Sequence, residues 1–338
     1  MNSSSEIDVV ALTRRLVDID STTGREGDVA RVLAGYLREL GYRVEEQVVK
    51  DDRINVFARL DADPIVTFST HIDCVPPFFP SRQEGGQLYG RGACDAKGIA
   101  AVQIAAAERL RAAGESRVAL LFVAGEERGS DGARHANHHA PASVKYLVDG
   151  EPTDNRLGLA TRGAVRARLI ATGRAAHSAY PELGESAIDK LLEALAIIRG
   201  FALPEDRILG RTNYSIGLIQ GGIAPNVIPP HASAELMFRT VGSSAPIHEV
   251  LSAVTSLVTI EILLDFPAVH LAAAQGFETA TFSFGTDIPM LANWGTPLLL
   301  GPGSIHVAHT AEEHVSIDEM QTAVGLYAML AEQLLARS

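Results

Sequence analysis

A chain of 338 residues, 46% hydrophobic and 21% charged, carries enough apolar material for a sizeable core and is long for one domain, so two domains are expected. Its net charge of -12 argues against a nucleic-acid partner or an anionic membrane surface, since either wants a basic face. No run approaches the ~20 apolar residues of a membrane span, Met1 to Ile7 has no signal-like pattern, and two cysteines, Cys74 and Cys94, cannot form a disulfide framework, so the expected location is cytoplasmic.

In chain order, Glu6 to Asp18 places Val9, Leu12 and Leu16 on one helical face. Thr23-Gly24-Arg25-Glu26 has the form of a capping box, Val29, Val32, Leu33, Tyr36, Leu37 and Leu40 keep the helical period, and Gly41 closes that helix. Strands are expected at Arg43 to Val49, Asn55 to Leu60 and Ile65 to Thr70. An Ala-rich helix follows from Lys97 to Ala113, then strands running into Glu126 and from Val144 to Val148. That order is the order of an α/β domain. Near Arg162 the texture changes. Ala164 to Thr172, Thr212 to Ile219, Ala232 to Thr240 and Val258 to Leu264 read as strands, and Glu185 to Arg199 and Pro246 to Leu257 as helices, a βαββαβ ferredoxin-like unit. Thr296 to Leu300 returns to the buried-strand pattern, and Ser316-Ile317-Asp318-Glu319 caps a last helix through Leu335. The expected division is therefore a catalytic domain in two parts, residues 1–162 and 267–338, with residues 163–266 inserted between them.

The chemistry gathers where buried strands stop. Leu121-Phe122-Val123-Ala124 is an apolar run without a polar interruption, and it ends at Gly125-Glu126-Glu127. Ile65 to Thr70 delivers His71-Ile72-Asp73, Val144 to Val148 delivers Asp149-Gly150-Glu151, and Pro297 to Leu300 runs into Gly301-Pro302-Gly303 and then His309. Histidines and carboxylates at the carboxyl ends of such strands point to a metal centre. Each signal alone is weak. A lone His-x-Asp is more often a solvated strand end, and adjacent acids at a strand exit are usually just hydrated. For Glu126 and Glu127 that bland reading is strained, because neighbouring carboxylates repel unless cations or different roles separate them. Asp73, two residues from His71, is placed to hold the second ring nitrogen of His71. Gly90-Arg91-Gly92-Ala93-Cys94-Asp95 matches only two glycines of a dinucleotide fingerprint; Asp95 stands at the third, where a carboxylate would face the pyrophosphate, and bridging two cations suits it better. His135, His138 and His139 read as an exposed helix, and both cysteines as small buried fillers.

Taken together, His71-Ile72-Asp73-Cys74-Val75-Pro76, Gly90 through Gly98, Glu126-Glu127, Gly150-Glu151-Pro152-Thr153 and Gly301-Pro302-Gly303 through His309-Thr310-Ala311-Glu312-Glu313 resemble the ordered signature blocks of one family, the dizinc amidohydrolases of acetylornithine deacetylase, succinyl-diaminopimelate desuccinylase, aminoacylase and carboxypeptidase G. The resemblance implies a zinc-exopeptidase-like α/β fold, a mixed sheet sandwiched by helices, with an inserted lid and dimerisation domain. It implies two zinc ions, with cobalt or manganese as alternatives: His71 and Glu151 hold one, Glu127 and His309 the other, and Asp95 bridges them. Glu126 is then the general base and acid acting on a metal-bridged hydroxide, with Asp73 supporting His71. His177 would reach across a homodimer to the partner's active site. Asn226 and Arg239 resemble substrate-facing residues, and Gly303 and Ser304 would offer N–H donors to an α-carboxylate. One departure stands in a motif: Ile99 follows Lys97-Gly98 where the family usually has a second glycine. Phe284-Gly285-Thr286-Asp287 and the Gly-Pro-Gly loop resemble most the acetylornithine and acetylcitrulline deacetylase branch. The implied activity is deacylation of a small N-acyl amino acid, as in amino-acid biosynthesis, with a di- or tripeptide exopeptidase and a succinyl-diaminopimelate desuccinylase as the alternatives.

Overall fold

Six strands build one mixed sheet: β1 (Arg43–Lys50), β2 (Arg53–Arg59), β3 (Val66–His71), β4 (Val118–Val123), β5 (Tyr146–Asp149) and β6 (Thr296–Leu299). They are seen in a computed structural model that describes residues 7–338. The spatial order is β1-β2-β4-β3-β5-β6. β1, β2 and β4 pair antiparallel in turn, whereas β4, β3, β5 and β6 all run parallel. Every residue of β3 and β4 is buried, as expected of strands covered on both faces. Alternation along β4 divides its side chains between two cores. Leu120 and Phe122 join Val56, Phe68 and Val148 on one side, and Ala119, Leu121 and Val123 join Phe57, Leu147 and Trp294 on the other.

The helix Lys97–Ala112 lies under this sheet, against β3 and between the helices Val9–Val17 and Ile317–Ala336. Each of its residues from Lys97 to Ala107 is buried, which is why its sequence shows little amphipathic pattern. Ile99 finds its space beside two glycines. A Cβ on Gly150 would lie 2.5 Å from Ile99 Cγ2, and one on Gly301 would lie 3.0 Å from Ile99 Cδ1. The bulky residue at this motif position is thus seated against the glycines of the β5 and β6 exits.

Contacts divide the chain into two compact units. The first takes the chain up to Leu159, with Leu271–Ala280 and Thr286–Ser338; the second takes Ala160–His270 and Thr281–Gly285. The second unit is built on an antiparallel sheet of Gly163–Thr172, Asn213–Gly221, His231–Thr240 and Thr259–Phe266, with the helices Ala187–Gly200 and Ala245–Ser252. Strand His231–Thr240 alternates buried and part-exposed residues, so one sheet face packs on the helices, where Leu236 and Phe238 meet Leu191, Leu195 and Val250.

Some local expectations are corrected. The helix expected from Thr23 begins at Gly27, and no capping box forms. The Thr23 hydroxyl donates to Asp73 and the Glu26 carboxylate takes Arg53 Nε, so both side chains serve tertiary contacts. The first helix runs Val9–Val17 with Asp8 as its cap; Glu6 lies outside the described residues. Ser316 caps the last helix as expected, through the N–H of Glu319. A three-stranded sheet of Arg82–Glu84, Gln87–Tyr89 and His314–Ser316 has strands too short for periodicity to register. Among the described residues, no helix is long and apolar enough to cross a membrane.

Candidate active site

The parallel strands open on one edge, and each brings a polar side chain there. His71 ends β3. Its Nε2 lies 2.8 Å from Asp95 Oδ1, and its Nδ1 lies 3.0 Å from the Asp73 carbonyl oxygen and 3.5 Å from the Asp73 carboxylate. The support expected from Asp73 is thus mainly main-chain. The Asp73 carboxylate does something else. It accepts the N–H groups of Gly125 at 2.9 Å, Glu126 at 3.0 Å and Glu127 at 3.3 Å, together with the Thr23 hydroxyl at 2.7 Å. Burial works to raise its pKa, but the contacts with His71, Thr23 and the Glu126 N–H outweigh burial and leave it lowered.

Beyond β4 the chain turns through Gly125 at φ 83° into a single 3-10 turn, Glu126–Arg128, which carries the paired glutamates. A left-handed φ is routine only for glycine, so that sharp exit depends on Gly125. Glu127 Oε1 lies 2.8 Å from His309 Nε2, and the same nitrogen lies 3.3 Å from Asp95 Oδ2. His309 itself sits at φ 63°, an uncommon setting for a residue with a side chain. Two triads result, His71-Asp95-Glu151 and Asp95-Glu127-His309, with the ligand-type atoms of each within 4.8 Å of one another. Asp95 belongs to both. It offers one oxygen to each histidine. The first triad is buried, and the second opens to solvent at His309.

The electrostatics ask for positive charge. Burial pushes Glu126 and Glu151 well above the usual carboxylate range, reinforced at Glu126 by Asp287 and Glu127 and at Glu151 by Asp95 and Glu126. Hydrogen bonds to Asp95 and Glu127 raise His309 to about 10. Among the described residues no lysine or arginine pairs with Asp95, Glu126, Glu127 or Glu151. Imidazole and carboxylate donors crowded without a counter-cation fit a pair of divalent ions, which would supply the missing charge and leave the imidazoles neutral.

Two further carboxylates were not singled out from sequence as site residues. Asp149 ends β5, and Asp287 follows the Phe284-Gly285-Thr286 segment; both are buried, and burial raises both, Asp287 to about 7. Asp149 Oδ2 and both Asp287 oxygens lack a hydrogen-bond partner among the described residues. The position of Asp149 at a buried strand end was a signal for it. Asp287 had none beyond its motif.

The remaining expected residues fall elsewhere. Gly303 and Ser304 line a cavity of about 170 Å³ with Gln87, Val307, His314 and Glu319. His177, Asn226 and Arg239 all belong to the second unit. There His177 bridges to Val227, and the Ser178 N–H donates to the Asn226 carbonyl, so the two loops are held together. His177 Nδ1 accepts the N–H of Ala179 at 3.1 Å, which leaves the ring proton of the neutral imidazole on Nε2. Arg239 makes no ion pair among the described residues.

The sequence model of peptidase family M20/M25/M40 matches residues 67–333. The chain belongs to this family. A probable carboxypeptidase of Aspergillus clavatus is 35% identical over 98% of this chain and 83% of that protein. The crystal structure of an aminopeptidase of Bacillus cereus superposes with a TM-score of 0.82 at 20% identity, covering 98% of this chain and 99% of that one. A dinuclear metal-binding peptidase of Bacillus subtilis gives 0.71 at 16% identity, with 97% of each chain covered. The fold is therefore the mixed α/β fold of this family, and the protein is a hydrolase of the metallopeptidase class.

Proposed function

We propose that this protein hydrolyses an amide bond in a small acyl amino acid with the help of two divalent cations, one held by His71, Glu151 and Asp95, the other by Glu127, His309 and Asp95. The observation that carries this reading is the pair of triads sharing Asp95, with Glu126 outside both. Mixed nitrogen and oxygen donors favour zinc, with cobalt or manganese as substitutes. When bound, such ions supply Lewis acidity, lowering the pKa of water and polarising a carbonyl.

The chain's own residues do the rest. Glu126 is only partly buried and its N–H is fixed by Asp73, so its carboxylate is both reachable and oriented. Its raised pKa suits a group that takes a proton from water and returns it to the leaving amine. From the family resemblance, His177 of a second copy donates through Nε2 to the tetrahedral oxygen, and Asn226 faces the substrate. Arg239, with the N–H groups around Gly303 and Ser304, carries the expected grip on an α-carboxylate. A homodimer formed through residues 163–266 and a cytoplasmic location belong to the same reading.

Removal of an Nα-acetyl group and carboxypeptidase action share one feature: the leaving amine is an amino acid with a free α-carboxylate. Phe284-Gly285-Thr286-Asp287 and Gly301-Pro302-Gly303 favour the deacetylase of the acetylornithine and acetylcitrulline type. The likeness to a probable carboxypeptidase favours the second reading, a di- or tripeptide exopeptidase. Comparing kcat/KM for N-acetylornithine, N-acetylcitrulline, N-acetyllysine, N-succinyl-diaminopimelate, a dipeptide and the C-terminal amides of the best substrates separates them. The acetylated amino acids should lead and the amides should be poor. A dipeptide ahead by more than about tenfold, roughly 1.4 kcal/mol of transition-state preference, would select the exopeptidase.

A further inference from the structure

Glu313 is fully buried and paired with Arg91, itself 1% exposed. An ion pair that serves only to hold the interior together is a weak device, because removing two charges from water offsets most of their attraction. This one is arranged around a loop. Glu313 Oε1 accepts three consecutive-segment N–H groups, Gly92 at 2.9 Å, Cys94 at 3.2 Å and Asp95 at 3.1 Å, while Oε2 takes Arg91 Nη1 at 2.5 Å. The Glu313 carbonyl accepts the Gly90 N–H at 3.1 Å. Residues 90–95 are thereby wrapped about one carboxylate, as backbone nests wrap an anion. Arg91 is fixed in turn by the Pro77 carbonyl at 3.2 Å and by the Phe79 ring.

The last N–H of that wrap belongs to Asp95, the residue common to both triads. Glu313 also stands four residues after His309, on the same loop. One short segment therefore presents a histidine to the open triad and grips the main chain behind the shared carboxylate. We propose that Glu313 is a positioning residue that sets Asp95 for both cations at once; this rests on the dinuclear reading given above. A pair serving only the fold would govern thermal stability alone.

Two double variants separate the alternatives. Arg91→Met with Glu313→Leu removes both buried charges together and also the acceptor; Arg91→Met with Glu313→Gln removes the charges but keeps an acceptor oxygen. Zinc affinity is read by competition with a chromogenic chelator, and folding by circular dichroism and Tm. The leucine variant should bind both zinc ions at least about tenfold more weakly, the range seen when outer-sphere partners of ligands are lost, and the glutamine variant should restore most of that affinity. Equal zinc binding by the two variants would overturn the proposal, as would a loss confined to one ion. If the leucine variant does not fold, Glu313→Asp shortens the reach by one methylene and keeps the charge: weakening at both ions supports the proposal and wild-type affinity overturns it. Wild-type protein that takes up fewer than two zinc ions would remove the dinuclear reading, and the proposal with it; two ions in the wild type with indistinguishable variants would remove the proposal alone.

Discussion

At Asp73 one buried carboxylate ties the exit of β3 to the exit of β4. Its oxygens receive the N–H groups of Gly125, Glu126 and Glu127, so the direction in which both glutamates leave the sheet depends on it. In Asp73→Asn an amide NH2 must face one of these donors in a buried place, and the variant should lose about 1–3 kcal/mol of stability. Misdirected glutamates should lower kcat/KM by about 10–100-fold. The folded pKa of Asp73 is depressed below its ordinary value of 3.8, so the stability it confers is fully present above that value and is lost as the pH falls through the folded one. Denaturant titrations of both proteins should therefore show a gap that is widest at neutral pH and closes under acid conditions; a gap that widened on acidification would contradict the role. The spacing of His71 and Asp73 made a link between them legible. The larger task was not, since the N–H groups concerned are 52 to 54 residues away in sequence. Glu313 escaped for the same reason: a glutamate in an acidic loop gives no local sign that Arg91 and three N–H groups will close on it.

Elements were most legible where burial is complete. β4 is a continuous apolar run, and the helix Ile317–Ala336 announces its start with a serine that does cap it. Local chemistry misled where tertiary contacts claimed the same side chains, as at Thr23 and Glu26. The helix Lys97–Ala112 illustrates a third case, a motif departure with a structural account. Ile99 packs against Gly150 and Gly301, the glycines flanking the strand exits that carry Glu151 and the Gly-Pro-Gly loop. Ile99→Ala should leave a cavity there and lower the unfolding free energy by about 2–5 kcal/mol. Chemical denaturation measures this directly, and a loss well under 1 kcal/mol would mean that the side chain is not the packing element described.

Across the whole molecule, an acidic chain gathers carboxylates from three strand exits and from loops, and among the described residues no lysine or arginine balances those of the two triads. Five motif blocks lie in family order along the sequence, which makes the membership legible in the sequence alone. The convergence of His71, Asp95, Glu127, Glu151 and His309 is a property of the fold, because only the parallel strand order brings those blocks to one edge. In the proposed centre Asp95 joins two cation positions while Glu126 holds neither. The most direct test is the zinc-to-protein ratio after equilibrium dialysis, measured on the wild type, Glu126→Gln and Asp95→Ala proteins. Close to two ions are expected for the first two and a marked loss at both positions for the third. A wild type holding one ion, or an Asp95→Ala protein still holding two, would contradict it.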